Sequence, residues 1–154
     1  MANNRSKPAG TIIPTLIYDD VPKAIDWLCD VFGFTERLRA GTSHAQLAYG
    51  AGGGIMLGQS RKGQGFAAPD SAVFRQPHPN EVSQVILVAV EDVDRHHEHA
   101  RQHGARILQP PETHMYGERQ YTAEDPAGHR WTFSQTVEDV DPVGWGAQVL
   151  KPAP

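Results

Sequence analysis

The chain has 154 residues, 39% of them hydrophobic and 21% charged, with a formal net charge of −4. A packed core is therefore within reach without disulfides or metal staples, and the acidic balance argues against a nucleic-acid binder, which carries a basic stripe, and against a polybasic membrane-surface protein. A single cysteine, Cys29, excludes an intrachain disulfide framework and a cysteine-rich zinc module, while eight histidines, four of them between His96 and His103, raise the question of a metal site.

Met1 to Gly10 is polar and has no apolar core of a signal peptide. No apolar run approaches the roughly 20 residues of a spanning helix. The expectation is a flexible N-terminus over residues 1–10 in a cytoplasmic protein. Thr11 to Tyr18, rich in Ile and Thr, reads as a strand. Asp20 offers a helix N-cap and Pro22 fits the first turn. Ile25, Leu28, Cys29 and Phe32 then form an apolar stripe, and Gly33 closes the helix. Ala24, Trp27 and Val31 make a second apolar strip, so this helix is expected to be covered on more than one face. Strands are predicted at Phe34 to Ala40, His44 to Tyr49 and Gly54 to Gly58, with glycine-dense Gly50 to Gly54 as a turn.

Gly, Pro, Ser, Gln and Lys dominate from Gln59 to Glu81, which reads as an irregular connector of residues 59–81. Val82 to Val90 is a nearly continuous β-branched run. Asp92 caps a helix ending near Gly104, and strands follow at Arg106 to Glu112, Arg119 to Ala123 and Arg130 to Ser134. The tail, residues 136–154, shows no period. Asp20-Val21-Pro22-Lys23 and Asp92-Val93-Asp94-Arg95 superpose at an offset of 72 positions, each with a strand before and a helix after. The chain thus reads as a strand–helix–strand–strand–strand unit used twice, over 11–58 and 82–135.

"DDVPKAIDWLCDVFGF" resembles the first-helix signature of the vicinal oxygen chelate superfamily, the glyoxalase, bleomycin-resistance and extradiol-dioxygenase proteins. "YGERQYTAEDPAGHRWTFSQ", Tyr116 to Gln135, is similar to the second-module ending of its PhnB-like, glyoxalase-like branch. The resemblance implies an α+β fold of two βαβββ modules, whose curved mixed sheets enclose a cavity. In the metalloenzymes of this superfamily, ligands come from the first and last strands of each module. Carried over, those positions fall on Ile13 and Val85, near Met56 and on Thr132. Ile and Val offer no donor atom, a thioether suits hard cations poorly and a lone Thr is weak. A one-residue shift brings in Gln84 without repairing the rest. Neither metal nor cofactor is expected.

The histidines reduce to other roles. His99 and His103 lie four residues apart on the outer side of the second helix, His96 lies at its boundary, and His97 is expected to fill an aromatic core position. His129 follows the turn Asp125-Pro126-Ala127-Gly128 and is assigned a structural or capping role. No nucleophile elbow or phosphate loop is present, Cys29 is read as inert core, and no catalytic residue is assigned.

Because the resemblance puts a ligand position at Thr132, the Thr132 face is expected to line the cavity, and strand parity then points Ile13, Thr15, Ile17, Val85, Leu87 and Ala89 inward, together with Arg130, Thr132 and Ser134. That describes a mostly apolar pocket with one cation. Arg130 either pairs with an anionic group on a ligand or is a solvated strand-end arginine. Tyr116, Arg119 and Tyr121 either grip a ligand or pin the loop at Gly117. The candidate ligand-binding residues are therefore Thr15, Leu87, Tyr116, Arg119, Tyr121, Arg130 and Thr132. The expected function is sequestration of a small aromatic or amphipathic molecule in an apolar cavity, the expected partners being that ligand and a second copy of the chain in a homodimer, with no nucleic acid and no membrane. The alternatives are a metal-dependent lyase, isomerase or dioxygenase with displaced ligands, and a module whose 59–81 connector contacts another protein.

Overall fold

The structure is a computed structural model that describes residues 2–63 and 69–151. Residues 64–68 of the expected connector, Met1 and residues 152–154 of the tail lie outside the described residues. The chain divides into two compact units, 1–81 and 82–154.

In the first unit, β1 spans Thr15–Tyr18 and starts later than the composition suggests. Pro14 accepts a bond from the Met56 amide at 2.9 Å but has no N–H to return one, so Thr11–Ile13 leave the sheet. α1 (Val21–Trp27) is capped by Asp20, whose carboxylate accepts from the Lys23 amide at 3.0 Å. A single π turn, Leu28–Phe32, ends it at Gly33, which adopts φ 84°. The widened turn buries Val31 with Leu28 and Phe32 and leaves Cys29 half-buried, where an α-helical stripe places it in the core. Burial pushes the Cys29 thiol above its ordinary pKa, so it stays protonated near neutrality.

β2 (Thr35–Ala40), β3 (His44–Tyr49) and β4 (Gly53–Gln59) complete a mixed sheet of order β1-β4-β3-β2, with β1 parallel to β4. Leu16, Tyr18, Leu47, Ile55 and Leu57 are buried on the face that α1 covers. The connector is more ordered than its composition implies. β5 (Arg61–Lys62) pairs antiparallel with β6 (Val73–Phe74), the Arg61 guanidinium stands 4.7 Å over the Phe74 ring, and Gln76 accepts from the Asp19 amide at 2.8 Å.

The second unit repeats the plan. β7 (Val85–Ala89), α2 (Val93–Gln102), β8 (Arg106–Thr113), β9 (Glu118–Glu124) and β10 (Arg130–Thr136) give a sheet of order β7-β10-β9-β8. Asp92 caps α2 through the Arg95 amide at 3.0 Å, the same device as Asp20. Tyr121, Trp131 and Phe133 are fully buried with Val93 and Ala100 of α2. His96, expected at the boundary, joins this aromatic core: its Nδ1 lies 2.7 Å from the Tyr121 hydroxyl and its ring 4.2 Å from Phe133. His97 meets Tyr121 edge-on at 5.1 Å. His99 and His103 stack on one another at 3.9 Å in solvent.

The tail is docked. The amides of Val137 and Glu138 both donate to the Gly117 carbonyl, at 2.9 and 3.2 Å. A 3₁₀ turn at Pro142–Trp145 then brings Trp145 edge-on to Tyr116 at 5.9 Å. Gly117 sits at φ 87°, and a Cβ there would stand 2.1 Å from the Glu138 carbonyl oxygen, so only glycine fits. No helix among the described residues is long and apolar enough to cross a membrane.

The β9–β10 turn depends on one buried carboxylate. Asp125 is 3% exposed and accepts from the Ala127 and His129 amides, both at 3.0 Å, and from Trp131 Nε1 at 3.1 Å. Asp125→Ala leaves these donors without their acceptor and should lower stability by about 3 kcal/mol, read as the shift of the urea-unfolding midpoint.

Candidate ligand-binding site

Among the described residues each four-stranded sheet has one face under its helix and one face without a helix. On the second sheet the helix-free face can be read row by row from the pairing register. Val85, Arg130, Glu124 and Arg106 form one row; Leu87, Thr132, Thr122 and Gln109 the next; Ala89, Ser134, Gln120 and Glu112 a third. Thr136 and Glu118 end it. The apolar residues are confined to edge strand β7. The other three strands present polar side chains to this face.

A groove of about 500 Å³ occupies the third row and its neighbours. One side is Leu87, Ala89 and Val90; the other is Glu118, Gln120, Ser134 and Thr136. The polar side is a connected network. Gln120 Nε2 donates to Ser134 Oγ at 3.0 Å, and Ser134 donates to Glu118 Oε2 at 2.6 Å. Thr136 donates to Glu118 Oε1 at 2.6 Å, and the Tyr116 hydroxyl donates to Gln120 Oε1 at 2.7 Å. Glu91 also lines the groove, which therefore carries two carboxylates and no Lys, Arg or His.

The predicted site residues separate. Leu87 lines the groove and is 59% exposed. Thr132 lies on the same face one row away, its hydroxyl 3.2 Å from that of Thr122. Tyr116 reaches the rim through Gln120, with His114 stacked on it at 5.1 Å. Arg130 is on the correct face but two rows off. Its Nε is 3.4 Å from Glu124 Oε2, and Arg106 donates to the other oxygen of that carboxylate at 3.0 Å. Arg130 therefore supplies no cation to the groove. Thr15 belongs to the first unit, on the helix-free face beside Met56.

Arg119 and Tyr121 are corrections. Both project to the helix side of β9, because they alternate with Glu118, Gln120 and Thr122. Tyr121 is fully buried beneath α2, stacked on Phe133 at 5.1 Å. Arg119 makes a bidentate pair with Asp94 of α2 at 2.9 and 2.8 Å. Glu118 and Gln120 line the groove in their place, and the sequence carries the signal: in E-R-Q-Y-T-A-E the apolar Tyr121 and Ala123 mark the helix side, leaving Glu118, Gln120 and Thr122 on the other.

The model of the glyoxalase/bleomycin resistance protein/dioxygenase superfamily matches residues 12–133. The chain belongs to this superfamily. It is 32% identical to TioX from Micromonospora sp. ML1, with a TM-score of 0.63 over 81% of this chain and 97% of that one. A glyoxalase/bleomycin resistance protein/dioxygenase from Nocardioides has the same fold, with a TM-score of 0.66 at 19% identity over 93% of this chain and 91% of the other. An uncharacterized protein of Mycobacterium bovis is 27% identical over 135 residues, 83% of this chain and 84% of its own length.

The metal of the superfamily's metalloenzymes does not fit the residues present. In the second unit the inherited positions are Val85, without a donor, and Thr132, whose hydroxyl faces Thr122. In the first they are Ile13 and a position near Met56, whose thioether suits a hard cation poorly. Among the described residues no three His, Cys, Asp or Glu side chains are grouped to hold a metal ion.

The Arg119 guanidinium holds the Asp94 carboxyl below its ordinary value of 3.8. A lowered folded pKa contributes stability above the unfolded value and loses it as pH falls through the folded one. Asp94→Asn should thus cost under about 1 kcal/mol at pH 7, since the pair is exposed, and wild-type and variant unfolding curves should converge once the pH drops below the aspartate range.

Proposed function

We propose that the protein binds a small amphipathic or aromatic molecule in the groove of the second sheet, without catalysing its conversion. The observation that carries this reading is the groove itself, with an apolar side on β7 facing a preorganised network of Gln120, Ser134, Glu118 and Thr136. Such a groove removes apolar area of a ligand from water while fixing its polar groups by hydrogen bonds. The two carboxylates favour a neutral or cationic ligand over an anionic one. The donor set at the inherited metal positions supports binding over metal-dependent chemistry. The Tyr116–Gln135 segment supports a place in the PhnB-like, glyoxalase-like branch.

We extend the proposal to a cytoplasmic homodimer, with the Val85 end of edge strand β7 as the contact, because Val85 stands 49% exposed there, outside the groove lining. Light scattering at micromolar concentration should then give twice the chain mass, and a Val85→Lys variant the chain mass alone.

The binding reading is tested with N-phenyl-1-naphthylamine, a neutral aromatic amine whose fluorescence rises on leaving water. Saturable binding to the wild type is expected. Leu87→Arg, at an exposed position that leaves the core intact, should weaken it by roughly 10-fold or more, the value of burying one leucine. Protein purified without an affinity tag that carries stoichiometric Zn, Ni, Mn or Fe would instead establish the metalloenzyme reading.

A further inference from the structure

The helix-free face of the first sheet is covered by the chain's own N-terminal residues, which the sequence alone presented as a flexible end. Gln46 lies on that face and is only 5% exposed. Its Nε2 donates to the Ser6 carbonyl at 2.9 Å, and its Oε1 accepts from Arg37 Nη1. Arg37 Nη2 donates to the Arg5 carbonyl. Arg37 reaches this face because the β2–β3 register shifts between Glu36 and Leu38, which releases it from strand alternation. Pro8 is buried. A Cβ on Gly54 would meet the Ala9 carbonyl oxygen at 3.1 Å and the Pro8 Cβ at 3.3 Å, so the bare backbone of Gly54 is the seat for this segment.

The segment is also folded on itself. Asn4 Oδ1 accepts from the Ser6 amide at 3.0 Å, and the Asn4 carbonyl from the Lys7 amide at 3.1 Å. The Lys7 ammonium donates to the Gly10 carbonyl at 2.8 Å and to the Pro8 carbonyl at 3.3 Å. Two side chains of the sheet therefore read two successive backbone carbonyls, and a glycine receives a proline ring. That is the chemistry of peptide recognition: main-chain groups give the binding and one side-chain seat gives the register.

We propose that the helix-free face of the first sheet is a peptide-binding surface whose resident occupant is the chain's own segment of residues 5–10, which closes that face to other ligands. The proposal is independent of the groove in the second unit. Two measurements test it. In the intact chain, trypsin should cut the Arg5–Ser6 bond slowly, because its carbonyl is held by Arg37, and Gln46→Ala should raise the cleavage rate roughly 10-fold by freeing one partly buried hydrogen-bonded contact. A wild-type bond cut as fast as the same bond in a free peptide of residues 2–12 overturns the proposal. In the second measurement, residues 5–9 are replaced by a Gly-Ser run, which alters only the occupant and leaves the sheet untouched. A fluorescein-labelled peptide of residues 3–11 should then bind this variant with a Kd below roughly 1 mM, the effective concentration a short tether provides, and should not bind the wild type. A variant that unfolds as cooperatively as the wild type yet does not bind the peptide refutes a recognition surface.

Discussion

One helix covers one face of a four-stranded sheet, and among the described residues each of the two four-stranded sheets has one α-helix. The core on the covered side is decided by the need to bury apolar area, which stabilises by about 25 cal/mol per Å². Leu16, Tyr18, Leu47, Ile55 and Leu57 meet α1 in the first unit, and Tyr121, Trp131 and Phe133 meet α2 in the second. The opposite faces are left over by that arithmetic. What the chain does with them separates two units that are otherwise built alike.

The repeat is carried by small devices rather than by residue identity. Asp20 and Asp92 each accept from the amide three residues on and start a helix from an extended residue. Each unit closes by laying its last strand parallel to its first. On the helix-free side the units diverge. The first unit folds residues 5–10 over Gln46 and Gly54. The second leaves a groove between the apolar β7 column and the Glu118–Ser134–Gln120 network, with the tail docked at Gly117 and Trp145 against Tyr116.

Histidine abundance illustrates how placement outranks number. His96 joins an aromatic core through the Tyr121 hydroxyl, His129 is buried in the Asp125 turn, and His99 and His103 stack in solvent. Arginine behaves similarly. Arg130 and Arg119 are each taken up by a carboxylate, Glu124 and Asp94, so neither acts on the groove.

By itself the sequence determined the repeat, the two Asp-capped helices, the strand order along the chain and the superfamily, because these rest on local spacing: period-two and helical apolar patterns, caps and turn residues. Through the superfamily resemblance it also carried the metal positions to Ile13, Val85, near Met56 and Thr132, residues with no donor or a weak one for a hard cation. The tertiary structure decided which faces of β8 and β9 share a surface with β10, since that follows from register across strands distant in sequence. It decided that Glu118 and Gln120 meet Ser134 and Thr136 across the β9–β10 register to complete the groove, and that a polar N-terminus rests on a sheet. No local pattern marks these last contacts: a carbonyl seeking a donor looks the same in every peptide unit, and only the folded chain brings Gln46 and Arg37 to Ser6 and Arg5.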